Sequence, residues 1–244
     1  MAYKAHRVFK QPEEPFGLLW RYMDFPKFFW LMKTHKLFFP SVHTLRQADR
    51  FENSLPKKEL IIHKAALGQK LESIRASHEE WSHRFFTSCW HYNKTESIAM
   101  WKLYAPTGFG IAIQTTVPEF RGSFDHVTDD VFAGLVQYID YETERFYEND
   151  PEGYEYLNSL VAIVHKKDTL EHEHEFRAVI GRADVTKPHP EGIEVPISLQ
   201  SLVQRVVVSP QAPNWFADAV FALGNEHIPG TPICHSIDDV TPTL

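Results

Sequence analysis

The chain has 244 residues, enough to bury one full core, and its 43% apolar and 14% aromatic content, with 18 Phe and 6 Trp, excludes an intrinsically disordered polypeptide. A net charge of −7 without a basic tract gives nucleic-acid binding no electrostatic support, so a small-molecule or protein partner fits better. Two cysteines (Cys89 and Cys234), an opening stretch without an apolar signal run and no apolar segment near the ~20 residues that span a bilayer together predict a reducing, cytoplasmic setting and no membrane.

A polar lead ends at Pro12-Glu13-Glu14-Pro15, after which Leu18-Leu19-Trp20-Arg21-Tyr22 reads as a first strand. A short helix carrying Phe25, Phe28, Phe29 and Leu31 follows, then a strand at Lys36-Leu37-Phe38-Phe39 closed by Pro40, and a polar loop around Asp49-Arg50-Phe51-Glu52-Asn53. Between Pro56 and Trp81, Leu60, Leu67, Leu71 and Ile74 recur at helical spacing among charged residues and predict one long amphipathic helix. The pattern then predicts a strand over 84–90, a helix over 94–104, and strands over 110–114, 131–138, 176–180, 193–197 and 206–209. Further helices are predicted over 155–164 and 214–223, and Lys187-Pro188-His189-Pro190-Glu191-Gly192 reads as a surface loop. Helices concentrated early and strands crowded late, without regular alternation, predict an α+β fold with mixed, largely antiparallel sheets, in one domain over 1–244.

The segment running from Glu171 to Gly181 places carboxylates at the entrance of an apolar strand. Residues two apart share a strand face, so Glu173, Glu175 and Arg177 are predicted on one side with Phe176, Ala178 and Ile180 on the other. Such a pair can stabilise a developing cation or divide acid and base roles; the plainer alternative is a solvated strand edge with a surface ion pair. Arg21, inside an apolar run, either meets an anion or points outward from an alternating strand. Cys89, among Phe and Trp, reads as a small buried hydrophobe rather than a nucleophile, and Ser88 has no Gly-x-Ser-x-Gly context. His165, His172 and His174 beside Glu173 lack a diagnostic metal spacing, so no metal is expected; Gly108-Phe109-Gly110 is a turn, not a dinucleotide fingerprint. Glu96, Met100, Trp101 and Tyr104 fall at helical spacing, as core or as a ring-stacking wall.

Taken in order, Leu19-Trp20-Arg21-Tyr22, the run from Arg46 to Glu52, Ser88-Cys89-Trp90, Glu96-Ser97 with Met100-Trp101, Tyr104, and Glu173-His174-Glu175-Phe176-Arg177 resemble a bacterial domain-of-unknown-function family, number twenty-nine seventy-one. The resemblance covers about residues 18–209, with a C-terminal helix and strand appended. It implies an ADP-ribosyltransferase-like fold that cleaves NAD as its substrate and passes ADP-ribose to an acceptor, a protein or nucleic acid, or to water. By that resemblance Glu175 is the catalytic carboxylate and Glu173 acts near the acceptor. Arg21 and Tyr22 on the first strand, Thr87 and Ser88 in a Ser/Thr motif, and the rings of Trp90, Trp101 and Tyr104 would bind the nucleotide in one cleft. The Thr87-Ser88-Cys89 match to that motif is loose, which leaves a non-catalytic nucleotide- or protein-binding module as the alternative.

Overall fold

Strand β1 (Leu18–Asp24) is buried on both faces: Leu19 and Met23 enter the main core, while Trp20 and Tyr22 enter a smaller one with Met100, Trp101 and Ala112. Asp24 ends it by capping α1 (Phe25–Thr34), accepting the Lys27 N–H at 3.0 Å, with Pro26 preset in the first turn. The structure, a computed structural model, describes residues 2–68, 70–146 and 159–236. After α1, His35 turns through a left-handed φ of 54° into β2 (Lys36–Pro40), followed by the short α2 (Val42–Leu45). The single long helix predicted from Pro56 to Trp81 is two, α3 (Lys57–Leu67) and α4 (Lys70–Ser82). Gly68, at φ +49°, closes α3 by donating its N–H to the Lys64 carbonyl, a local stop that hydrophobic spacing does not register.

Next come β3 (Phe85–Tyr92), α5 (Ile98–Tyr104), β4 (Gly110–Thr116), α6 (Val117–Gly122), β5 (Val131–Leu135) and β6 (Gln137–Ile139). Helix α5 starts later than predicted because Ser97, not Lys94, caps it through the Met100 N–H. The strand predicted over 131–138 divides: β5 joins the main sheet, and β6 pairs in parallel with β7 (His165–Lys167). Of the helix predicted over 155–164, residues 155–158 lie outside the described residues and α7 (Ser159–Ile163) is its described part. A 3-10 helix (Asp168–Glu173) leads to β8 (Glu175–Gly181), then β9 (Gly192–Pro196), α8 (Leu199–Leu202), β10 (Arg205–Val208), α9 (Asn214–His227) and β11 (Ile233–His235).

The fold is α+β. Among the described residues the main sheet runs β11-β10-β4-β1-β3-β8-β5, antiparallel except for β10 with β11, and β2 pairs with β9 in a separate ribbon. Seven residue pairs join β1 to β4, from Leu18 with Thr116 to Asp24 with Gly110. The ladder from β1 to β3 holds Leu19 with Tyr92 and Trp20 with His91, and stops there. Beyond Trp20 the two central strands are joined by side chains instead of a ladder, and that opening positions the candidate site.

The N-terminal lead covers the β5 edge through bridges from Tyr3 to Val131 and from Lys10 to Leu135, protecting unpaired backbone groups. A Cβ on Gly134 would lie 2.7 Å from the Lys10 carbonyl oxygen and 2.9 Å from the Phe9 Cβ. Backbone cannot swing aside as a side-chain tip can, so Gly134→Ala is expected to lose about 1–3 kcal/mol of unfolding free energy in urea titration. An unchanged midpoint would mean that the lead does not pack on β5.

Candidate active site

Glu175 at the start of β8 is buried and Glu173 before it partly so, which overturns the solvated-edge alternative. His174, at φ 41°, turns the chain out of the 3-10 helix, so Glu173 is not on the strand and the predicted three-residue face is corrected. Glu173 and Glu175 meet through a cation instead: Lys166 Nζ on β7 lies 2.5 Å from Glu173 Oε2 and 2.9 Å from Glu175 Oε1. Arg177, 1% exposed, donates from Nε and Nη2 to Glu175 Oε2 at 3.0 and 2.8 Å. Its Nη1 reaches Glu52 Oε1 at 2.5 Å and the Ile163 carbonyl at 2.6 Å. Three carboxylates therefore share two cations away from water, an arrangement that holds only while every charge keeps its partner.

The excess of negative charge divides the two glutamates. Burial alone would raise Glu175, but Arg177 and Lys166 outweigh it and hold the carboxyl well below the usual range. Glu173, whose side chain is 14% exposed, is pushed up to about 7, first by burial and then by its hydrogen bond to and repulsion from Glu175. Lys166 stays protonated because Glu175 and Glu173 outweigh its burial. The Cys89 thiol is pushed up to about 12 by burial and by Glu175, consistent with an inert, hydrophobic cysteine.

Polar and aromatic groups frame the pair. Tyr138 Oη accepts the Glu175 N–H at 2.9 Å. His91 Nδ1 lies 2.6 Å from the Glu173 carbonyl; a carbonyl only accepts, so Nδ1 carries the proton and the buried Nε2, without a partner among the described residues, is the acceptor of the neutral ring. Burial lowers that imidazole and favours the neutral form. Trp101 packs edge-to-face on Tyr22 at 4.8 Å, and the Tyr22 hydroxyl accepts the Ser97 N–H at 2.8 Å. Tyr104 is 49% exposed, yet its phenol is pushed upward by burial and by Glu173 and Glu175, so it borders the carboxylates at the solvent side.

Pairing decides which predicted residues belong here. Trp20 opposes His91, His91 opposes Glu175 and Cys89 opposes Arg177, so these residues share one face of the sheet with Tyr22 and Thr87. Arg21, Ser88 and Trp90 are on the other: Arg21 Nη1 and Trp90 Nε1 both donate to Ser88 Oγ, the latter at 3.0 Å, and the guanidinium lies 5.7 Å from the Trp90 ring centre. The predicted convergence of Arg21, Ser88 and Glu175 on one face is corrected. Trp90 leaves the predicted aromatic wall too, being buried in the main core against Phe120 at 5.0 Å. Thr87 is buried and opposes Val179, away from Glu175. On that other face, burial lowers the Arg21 pKa, an effect that Cys89 and Tyr104 partly oppose.

Glu52, Lys166 and His91 escaped the sequence reading. Glu52 lay in a polar stretch without periodicity, and its partner Arg177 is 125 residues away. Lys166 has no local sequence signal, and that of His91 lies only in its register with Glu175. His165, read with His172 and His174, donates from Nδ1 to the Val161 carbonyl at 2.7 Å and is lowered by burial to about 4. The metal-ligating set that the described residues do bring together is elsewhere, at His43, Glu79 and His83. No helix among the described residues is long and apolar enough to cross a membrane.

No family model and no curated protein matches the chain. Among solved structures it is similar to DarT from Thermus sp. 2.9 in complex with NAD+, at 8% identity and a TM-score of 0.40 over 94% of this chain and 98% of that one. It is similar also to the same protein in complex with ADP-ribosylated ssDNA, at 7% identity and a TM-score of 0.44, with the same coverage.

Proposed function

We propose that the chain is an NAD-utilising, ADP-ribosyltransferase-like enzyme that transfers ADP-ribose to an acceptor or hydrolyses NAD. The observation that supports this reading is the Glu173–Lys166–Glu175 assembly, in which two adjacent carboxylates ionise far apart. Loss of nicotinamide leaves positive charge on the ribose, and a permanently ionised Glu175 stabilises that oxocarbenium-like state. Glu173, poised near neutrality at the exposed end, takes the proton of an incoming acceptor hydroxyl or water. Tyr104, half-exposed beside the carboxylates, offers a ring to a planar base and His91 Nε2 an acceptor, while Tyr22 and Trp101 are buried behind them as support and Arg21, on the other face of the sheet, takes no part.

Two observations favour the alternative of a non-catalytic nucleotide- or protein-binding module: Arg21, the expected anion contact, is on the opposite side of the sheet from Glu175, and both Glu175 oxygens are already engaged, Oε1 by Lys166 and Oε2 twice by Arg177. Nicotinamide release and label transfer from NAD, followed against pH, separate the two. Turnover is expected to rise with pH through about 7 as Glu173 becomes the proton-accepting form, and Glu173→Gln is expected to remove that limb.

Stability supplies a readout that needs no substrate. Glu173 is raised above its ordinary value of 4.5, so its contribution is present below that pH and lost as pH rises through about 7. Denaturation midpoints are expected to fall between about pH 5 and pH 8 in the wild type and to change less in Glu173→Gln. Turnover that ignores pH across neutrality, or keeps its limb in the variant, overturns the role given to Glu173.

A further inference from the structure

At the Phe85 end of β3, away from Glu175, two helices bring imidazoles and a carboxylate together. Glu79 and His83 are one turn apart on α4, and His43 comes from α2. We propose that His43, Glu79 and His83 form a binding site for a divalent transition-metal ion of the zinc class, held by two imidazole nitrogens and one carboxylate oxygen. The candidate ligand atoms all lie within 4.8 Å of one another. Glu79 Oε1 is the focus, 3.0 Å from His43 Nδ1 and 3.9 Å from His83 Nε2. Tetrahedral zinc, with bonds of about 2.0–2.2 Å, spaces its ligand atoms roughly 3.3 Å apart, so the His43 and His83 rings turn out of their stack to direct their in-plane lone pairs at one ion.

The surroundings are those of a ligand set rather than a chance cluster. Arg46 Nη1 holds the other carboxylate oxygen, Glu79 Oε2, at 2.5 Å, which orients Oε1 toward the histidines as an outer partner of a metal ligand does. The three rings His43, His83 and His189 form a column, with centroids 3.9 Å apart for the first pair and 4.3 Å for the second. His189 is an independent pointer: its side chain is 10% exposed, and neither ring nitrogen has a hydrogen-bond partner among the described residues. Such an imidazole carries a desolvation cost that the protein's own groups do not return. Its Nε2 lies 3.7 Å from Glu80 Oε2, on the side of His83 away from His43. Nitrogen and oxygen donors without a thiolate suit zinc, cobalt or nickel and disfavour magnesium and calcium.

The test uses the full chain after chelator treatment, titrated with Zn2+ in a calorimeter and with Co2+ by visible absorption. One equivalent of each is expected, with the absorption of a low-symmetry nitrogen and oxygen site for cobalt. His43→Asn and His83→Asn should each weaken binding by at least about tenfold, and the double variant should lose it. Saturating Zn2+ should raise the melting temperature of the wild type but not of the double variant. His43 is 40% exposed, so its replacement leaves the fold intact and decides the matter even if His83→Asn does not fold. Absence of stoichiometric Zn2+ and Co2+ binding, or binding unchanged in His43→Asn, overturns the site. Neither readout depends on NAD cleavage.

Discussion

Arg177→Ala is expected to lose about 3–5 kcal/mol of unfolding free energy, because it strips the shared cation from Glu52 and Glu175 while leaving both carboxylates buried. The direction follows from solvation: water no longer reaches these groups, so an abandoned charge must ionise unpaired or take a proton. Exposed pairs provide the contrast. Lys57 and Glu142 are just as close, at 2.9 Å, but both are solvated, and breaking such a pair costs no more than about 1 kcal/mol. Replacing all three charges together, in Arg177→Met with Glu52→Gln and Glu175→Gln, is expected to recover part of the loss, since no lone buried charge remains. Urea titration checks both variants. A midpoint for Arg177→Ala equal to that of the wild type would show that the network is solvated rather than sealed.

Glu175→Gln is expected to lower nicotinamide release by on the order of 100-fold or more while changing NAD affinity much less. The substitution keeps the shape of the side chain and removes the negative charge that, in the proposed reaction, would stabilise the ribose cation as the glycosidic bond breaks. It also removes one anion from between Lys166 and Arg177, so the assay belongs at a temperature where unfolding measurements show the variant to be folded. A rate equal to that of the wild type, in a folded variant, would move the assignment to the binding module.

Much of the secondary structure was legible because its signals are local. The alternation at Leu18–Asp24, the apolar run at Glu175–Gly181 and the aromatic spacing of Phe25–Thr34 each write their element into adjacent residues. The side-by-side placement of Glu175 and Arg177 followed from the strand period alone. Stops were less legible: the break at Gly68 and the left-handed turn at His174 are single-residue backbone events, and the second of these took Glu173 off the strand.

Local patterning was enough for the α+β class, the main strands and helices, and a carboxylate pair beside Arg177 as the centre of interest. Contacts made on folding set the burial of Glu175, its completion by Glu52 and Lys166, and the turning of Arg21 and Ser88 to the other face. Two physical reasons account for the difference. Charge partners are chosen by spatial contact across separations such as the 125 residues between Glu52 and Arg177, which no local pattern records. Which face a strand residue occupies relative to another strand depends on register, and the pairing of Trp20 with His91 rather than with a neighbour, a shift of one residue, is enough to put Arg21 and Glu175 on opposite sides.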